Sequence, residues 1–429
     1  MTDGLDEPRP PRRLWPVWTV LGVLVLLLTC GLPAVLVVGV LRDGTHRAVL
    51  SRADPTADDP ATRAGRQLAD RIATELDRQS AALLAGDRAG FLAVAEPAAH
   101  ADLKRRFAAL RALKVTTWRA EVTGLPTPTP DRAGEWRLLV RFQYCFVVAG
   151  CRPSPVLAGT RWRDAGGVPR LVAVEESKSA QTGTRPWEIS ELAVATGPRT
   201  IVATTPALRG KLPNLLAQAE AAAKVADRYA PTGAVPDRYR IFYAGRTEWE
   251  SWYGGGRPKW TGGYAVTVGG GHQEVVLNAD GLTPAGTDDL LRHELTHASS
   301  LPERGYPGAD DWWLVEGLAE YAGADGEPVG RYSGLTEVRQ LVRSGWNGKL
   351  DGIAPADDAS AERVASSYGL GYLAVRHLVD RFGEQRVLAF FAAVVHEGRP
   401  IEQAAERALG EPWPALHDEC VAYIRALVT

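Results

Sequence analysis

Residues 288–299 read Asp288-Asp-Leu-Leu-Arg-His-Glu-Leu-Thr-His-Ala-Ser299, and the rest of the chain is best read outward from them. His293 and His297 stand four positions apart. On a helix that spacing puts both imidazoles on one face, where they can reach a single ion. Glu294 is offset from that line, so it can stand beside the ion as a base rather than a ligand. With 8 His in 429 residues, this pair alone is suggestive and not decisive.

A third donor strengthens it. Residues 311–323 read Asp311-Trp-Trp-Leu-Val-Glu-Gly-Leu-Ala-Glu-Tyr-Ala-Gly323, and Glu316 follows His297 after 18 intervening residues. Glu316 opens a second helical pattern, with Leu318 and Tyr321 alongside. Two His and one Glu leave the fourth tetrahedral position open, as catalytic zinc sites do. Glu320 lies one turn beyond Glu316. It is expected to accept a ring N–H from a ligand His and so fix its tautomer; the bland alternative is a solvated helix face.

The HExxH motif, the 18-residue spacing and the run Trp313-Leu-Val-Glu-Gly-Leu-Ala-Glu-Tyr321 together resemble the gluzincin peptidases, which include the aminopeptidase N group and peptidase MA-like domains. The resemblance covers residues 187–429 and is sharpest over 288–382. It implies a thermolysin-like catalytic domain with a small sheet and a mostly helical C-terminal part. It also implies one Zn2+ bound by His293, His297 and Glu316, with Glu294 as general base in peptide-bond hydrolysis. Further on, Ser366-Ser-Tyr-Gly-Leu-Gly-Tyr-Leu-Ala374 is similar to the Y-x-x-G turn that supplies a phenol to the oxyanion in the aminopeptidase group. That role carries to Tyr368, with Tyr372 as the fallback and a core tyrosine as the bland reading.

One departure stands out. The aminopeptidases hold the substrate's amino terminus with a G-x-M-E-N segment, and the nearest counterpart here is Gly271-His-Gln-Glu-Val275, of which only Gly271 and Glu274 match. Exopeptidase action is therefore in doubt. The expectation is an endopeptidase that uses Glu274–Asn278 (EVVLN) as an edge strand to pair with extended substrate. His272 reads as a surface turn residue. The glycines between Gly254 and Gly271 fit hairpin turns, because no strand–GxGxxG–helix unit surrounds them.

The N-terminus decides the compartment. Leu14 to Leu41 is almost wholly apolar and uninterrupted by charge, preceded by Arg9, Arg12 and Arg13 and carrying Trp15 and Trp18 near its start. About 20 residues cross a bilayer, so this run is long enough. The positive-inside rule leaves residues 1–13 in the cytoplasm and everything after the 14–41 signal-anchor helix outside it. A cleaved signal peptide has a shorter apolar region, about 7–15 residues. A lipoprotein site at Cys30 fits poorly, since Thr29 precedes it and the apolar run continues past it. Residues 42–62 are a polar tether.

Residues 63–180 show three helical patterns followed by strand-like runs at Val115–Val122, Trp136–Val148, Leu157–Trp162 and Leu171–Glu175. With Ala81-Ala-Leu-Leu-Ala-Gly-Asp87 and Phe91-Leu92, this order resembles the NTF2-like α+β cone, which implies an accessory domain. Residues 181–186 read as a linker to the 187–429 domain. Cys145 and Cys151 flank a hairpin turn, and outside the cytoplasm they could pair as a disulfide. Cys420 reads as a buried thiol. His377 and His396 read as surface or capping residues. Arg292 pairs with Asp288 or Asp289, or meets substrate.

Composition excludes little else. The 45% hydrophobic and 23% charged content is ordinary for a globular protein, and a net charge of −2 gives no reason to expect nucleic acid as a partner. The expected partners are a peptide or protein substrate and the cell membrane. The competing reading is a peptidase-like envelope binding protein with weak or no activity; an intact Glu294 weighs against it, since a structural metal site needs no base. A zinc hydrolase of non-peptide amides or esters would use the same chemistry.

Overall fold

The computed structural model describes residues 59–130, 132–178, 182–231, 233–305 and 308–429. The expected cytoplasmic tail and membrane helix, with most of the tether, lie outside these residues. Among the described residues no helix is long and apolar enough to cross a membrane. The architecture is mixed α+β.

Three helices open the described chain: α1 (Pro60–Ala85), α2 (Arg88–Ala93) and α3 (His100–Ala112). Leu68, Ile72, Leu76 and Leu83 bury one stripe of α1, as their helical spacing requires. Strands β1 (Val115–Pro128), β2 (Glu135–Phe146), β3 (Ser154–Ala165) and β4 (Val168–Val174) follow as an antiparallel sheet in sequence order. β1 and β3 run beyond the apolar segments that announce them. Their outer faces are polar yet still pair across strands, as Glu121 does opposite Arg141. Cys145 and Cys151 form a disulfide across the β2–β3 turn.

A short helix, α4 (Pro186–Ile189), leads to a second sheet: β5 (Ala193–Thr196), β6 (Thr200–Thr204), β7 (Tyr239–Ala244), β8 (Gly263–Gly269) and β9 (His272–Asn278). Helix α5 (Leu212–Ala226) connects β6 to β7, and α6 (Arg246–Ser251) follows β7. The strand order is β5-β6-β7-β9-β8, with β6, β7 and β9 parallel. This corrects the edge-strand reading of Glu274–Asn278. Strand β9 bonds to β7 on one side and β8 on the other, and β8 is the outer strand. The physical reason was present in the residues: Val275, Val276 and Leu277 are all fully buried, as a central strand covered on both faces requires.

The rest is helical: α7 (Pro284–Ser300), α8 (Trp312–Ala324), α9 (Leu335–Arg343), α10 (Ala361–Phe382), α11 (Glu384–Phe391), α12 (Ile401–Ala408) and α13 (Trp413–Val428). Helix α7 starts where its signals say it should. The Thr283 hydroxyl accepts from Gly286 N at 3.1 Å, and Pro284 occupies the first helical position. Helices α8 and α10 approach closely: a Cβ at Gly317 would lie 2.4 Å from the Gly371 carbonyl oxygen, and one at Gly371 would lie 2.7 Å from that of Trp313. Glycine at both positions permits this contact. Tyr368-x-x-Gly371 is therefore inside a helix rather than in a turn, and its glycine serves helix packing.

The two sheets share one apolar cluster, which runs from Leu68 and Phe107 through Trp118 and Trp187 to Phe242, Trp252 and Val276. The residues expected as a linker are packed where they are described: Tyr253 N donates to Thr184 O at 2.8 Å, and the Ser177 hydroxyl to Gly183 O at 3.1 Å. A buried polar knot ties the sheets. Glu274, 0% exposed, accepts from Tyr144 at 3.1 Å and Tyr253 at 2.5 Å and lies 3.4 Å from Arg240. His272 is buried rather than at the surface, with Nε2 3.0 Å from Arg152 O, because the β8–β9 turn folds beneath residues 152–155.

Candidate metal centre

Helix α7 supplies His293, Glu294 and His297, and α8 supplies Glu316 and Glu320. Four of these, His293, Glu294, His297 and Glu316, are between 4% and 7% exposed. The Nε2 atoms of His293 and His297 lie 3.1 Å apart, and Glu316 Oε2 lies 3.2 Å from the first and 3.1 Å from the second. The three donor atoms thus form a nearly equilateral triangle. Ligands about 2.0–2.1 Å from a tetrahedral zinc stand roughly 3.3 Å apart. The residues present fit the ion in donor type, number and spacing.

The surrounding groups favour a cation there. Burial opposes charge on His293, yet Glu316 and Glu320 outweigh it and raise its pKa well above the ordinary value. Burial also opposes charge on Glu316, but the two imidazoles hold its carboxyl far below the usual range. His293 Nδ1 lies 3.0 Å from Glu320 Oε1, so Nε2 is the ring nitrogen turned toward the other donors. Tyr332 donates to the second Glu320 oxygen at 2.6 Å and locks that carboxylate.

Glu294 points elsewhere. It lines a cavity of about 580 Å³ together with His293, Trp260, Gly263 and Tyr368, and its Oε2 is buried without a hydrogen-bond partner. Burial raises its pKa, and His293 and His297 pull part of that back. The first strand residue, Gly263, sits against it: a Cβ there would meet Glu294 Oε1 at 2.8 Å. The edge strand β8 therefore starts directly beside the carboxylate.

Tyr368 reaches the same cavity from α10, with its ring centroid 5.9 Å from that of His293 and 4.9 Å from that of Trp312. Burial first, then the carboxylates of Glu316 and Glu294, raises its pKa well above the phenol value, so the hydroxyl stays protonated. Tyr372, the fallback, stacks on Tyr332 at 4.1 Å, and its hydroxyl accepts from Arg376 at 2.9 Å.

No family model matches the sequence, and no curated protein matches it. Among solved structures, native yeast LTA4 hydrolase aligns over 71% of this chain and 43% of its own, at 14% identity and a TM-score of 0.35. The M1 zinc metallopeptidase from Deinococcus radiodurans aligns over 73% of this chain and 61% of its own, at 18% identity and a TM-score of 0.32. This chain spans less than two thirds of either protein. At these values the likeness says nothing of activity, and the donor geometry carries the functional reading.

Other residues find plain roles. Arg292 donates to Gly323 O at 2.7 Å and to Asp289 at 2.5 Å, so it ties α7 to the end of α8. His396 Nε2 lies 2.7 Å from Ser300 O, at the end of α7. His377 stacks on Tyr423. Cys420 is buried, and burial pushes its thiol up to about 12. Cys151, Asp237 and His272 also lie close together, but the disulfide takes up the Cys151 sulfur. Sequence reasoning missed Tyr332, Trp260 and Gly263. They lie in loop or strand segments without a motif, and only their position in space brings them to the site.

Proposed function

We propose that this chain is a membrane-anchored zinc metallopeptidase whose catalytic part, residues 187–429, lies outside the cytoplasm. The single observation that carries the proposal is the buried triangle of His293 Nε2, His297 Nε2 and Glu316 Oε2, with the Glu294 carboxylate facing a cavity beside it.

When bound, a zinc ion supplies a Lewis acid that makes water more acidic and polarises a carbonyl. Glu294 is the base. Its free oxygen accepts the proton of the attacking water and later returns it to the leaving amine. Tyr368, held protonated, donates to the oxyanion that develops on the carbonyl oxygen. Glu320 holds the His293 ring through Nδ1, and Tyr332 holds Glu320. Trp312 packs against the Tyr368 ring and limits its swing.

Endopeptidase action is the reading favoured here. Glu274, the nearest match to an amino-terminus anchor, is fully buried and occupied by Tyr144, Tyr253 and Arg240. Strand β8 is outermost in its sheet and begins beside Glu294, so a peptide added to that edge would pass the base. Residues 63–180 are read as an NTF2-like accessory module. The space left among Phe91, Trp118 and Trp187 is about 20 Å³, too small for a ligand, while a separate groove of about 760 Å³ runs past Arg137, Arg141 and Glu175. Anchoring through residues 14–41 rests on their apolar length and flanking arginines.

The test is digestion of a mixed peptide library by the zinc-loaded full-length chain in detergent, beside Glu294→Gln and a chelated sample. Cleavage by the wild type alone, with zinc retained in the variant, is expected. Equal turnover by Glu294→Gln would remove the base assignment. No cleavage with a filled zinc site would shift the reading to a peptidase-like binding protein.

A further inference from the structure

The cavity beside the metal centre holds more negative charge than the proposed chemistry uses. Glu294 is the base, Glu320 is committed to His293 and Tyr332, and Asp289 is paired with Arg292. Glu327 and Glu337 also line the cavity and have no part in these arrangements. One Glu337 oxygen is shielded from solvent and has no hydrogen-bond partner. Glu327 lies close enough to Asp289 to add, after burial, to the rise in that carboxyl's pKa. Arg331 is the single Arg or Lys among the described lining residues; it and Glu327 are exposed, whereas Glu337 is half-buried.

The walls between these charges are aromatic, with Trp260, Tyr332 and Tyr368 all facing the cavity. Carboxylates set among aromatic faces suit one kind of guest. A long apolar stem packs on the rings while a cationic head meets the carboxylates. An acidic guest would face like charges, and a short apolar one would leave the shielded Glu337 oxygen unpaired.

Resting on the peptidase reading, we infer that the cavity selects peptides with a lysine or arginine side chain beside the cleaved bond, held by Glu337 with support from Glu327. The charge that the chemistry leaves unused thereby becomes the source of specificity.

The test uses the zinc-loaded full-length chain and N-acetylated peptides, so that a terminal ammonium cannot stand in for the side chain. Cut positions from an acetylated library are read by mass spectrometry. Matched peptides with Lys, Leu or Glu at the flanking position are then compared in kcat/KM. The Lys peptide is expected to lead the Leu peptide about ten- to a hundredfold. That lead should shrink as ionic strength rises. Glu337→Gln should reduce the Lys-to-Leu ratio about tenfold, and Glu327→Gln should reduce it less. Equal kcat/KM for Lys and Leu peptides overturns the cationic pocket and leaves the peptidase standing. Loss of cleavage on acetylation, with neutral unblocked peptides cut well, also overturns it and assigns the carboxylates to an amino terminus. If no peptide is cut while zinc fills the site, the peptidase reading fails and the specificity falls with it.

Discussion

Single side chains at the candidate centre divide into those proposed to act and those that hold. Tyr368 has one proposed task, donation to an oxyanion that exists only on the reaction path. Tyr368→Phe is therefore expected to lower kcat about 10²- to 10³-fold with little change in KM or zinc content, as steady-state kinetics beside metal analysis would show. Glu320 holds the His293 ring at 3.0 Å. Glu320→Gln should weaken zinc binding about 10- to 100-fold, measurable by competition with a chromogenic chelator. If zinc affinity is unchanged, Glu320 is only a structural acid. At this scale most of the centre was legible. His293 and His297, and likewise Glu316 and Glu320, stand one helical turn apart within two short segments, Glu294 follows His293 directly, and the resemblance to the gluzincins joins the two segments into one expected site. Tyr332 was not legible, because its loop carries no periodicity and its contact with Glu320 spans separate elements.

Helix packing sets how well those side chains are aimed. Gly317 and Gly371 let α8 and α10 touch, and these helices carry Glu316 and Tyr368. Gly371→Ala would press a methyl group toward the Trp313 carbonyl. A loss of about 1–3 kcal/mol is expected, with activity falling further than stability alone explains. Denaturant unfolding and kcat on the same sample would separate the two effects. In the first sheet, Glu135 on β2 meets Arg161 and Arg163 on β3. Burial opposes its charge, and hydrogen bonds from the two arginines outweigh that, so its folded pKa lies below the ordinary value. The stability it contributes is full above the unfolded Glu pKa of about 4.3 and drains away as pH falls through the lower folded value. Glu135→Gln should flatten the acid side of a thermal-melt pH series. An unchanged acid slope would show that the pair carries no such linkage.

The whole molecule depends on how its two sheets meet. Glu274 sits at that junction with Tyr144 from the first sheet and Arg240 from the second. Glu274→Gln would leave a buried arginine without its counter-charge, at a cost of about 3–5 kcal/mol. Calorimetry should show a lower and broader melt; a single unshifted transition would mean that the shared apolar cluster alone joins the sheets. The sequence by itself determined the candidate metal donors, the candidate base, the cysteine pair, the apolar N-terminal run and the alternation of helix and strand. Each of these is a short-range pattern, set by helical or strand periodicity or by composition. Only the tertiary structure decided that Glu274–Asn278 lies inside the sheet and β8 at its edge. The same holds for the burial of His272, the helix contact made by Gly371, and the convergence of Glu327 and Glu337 on the cavity. Those outcomes depend on which surfaces meet across long sequence separations. Many pairings of the same elements would satisfy local propensity equally well, and packing and burial choose among them.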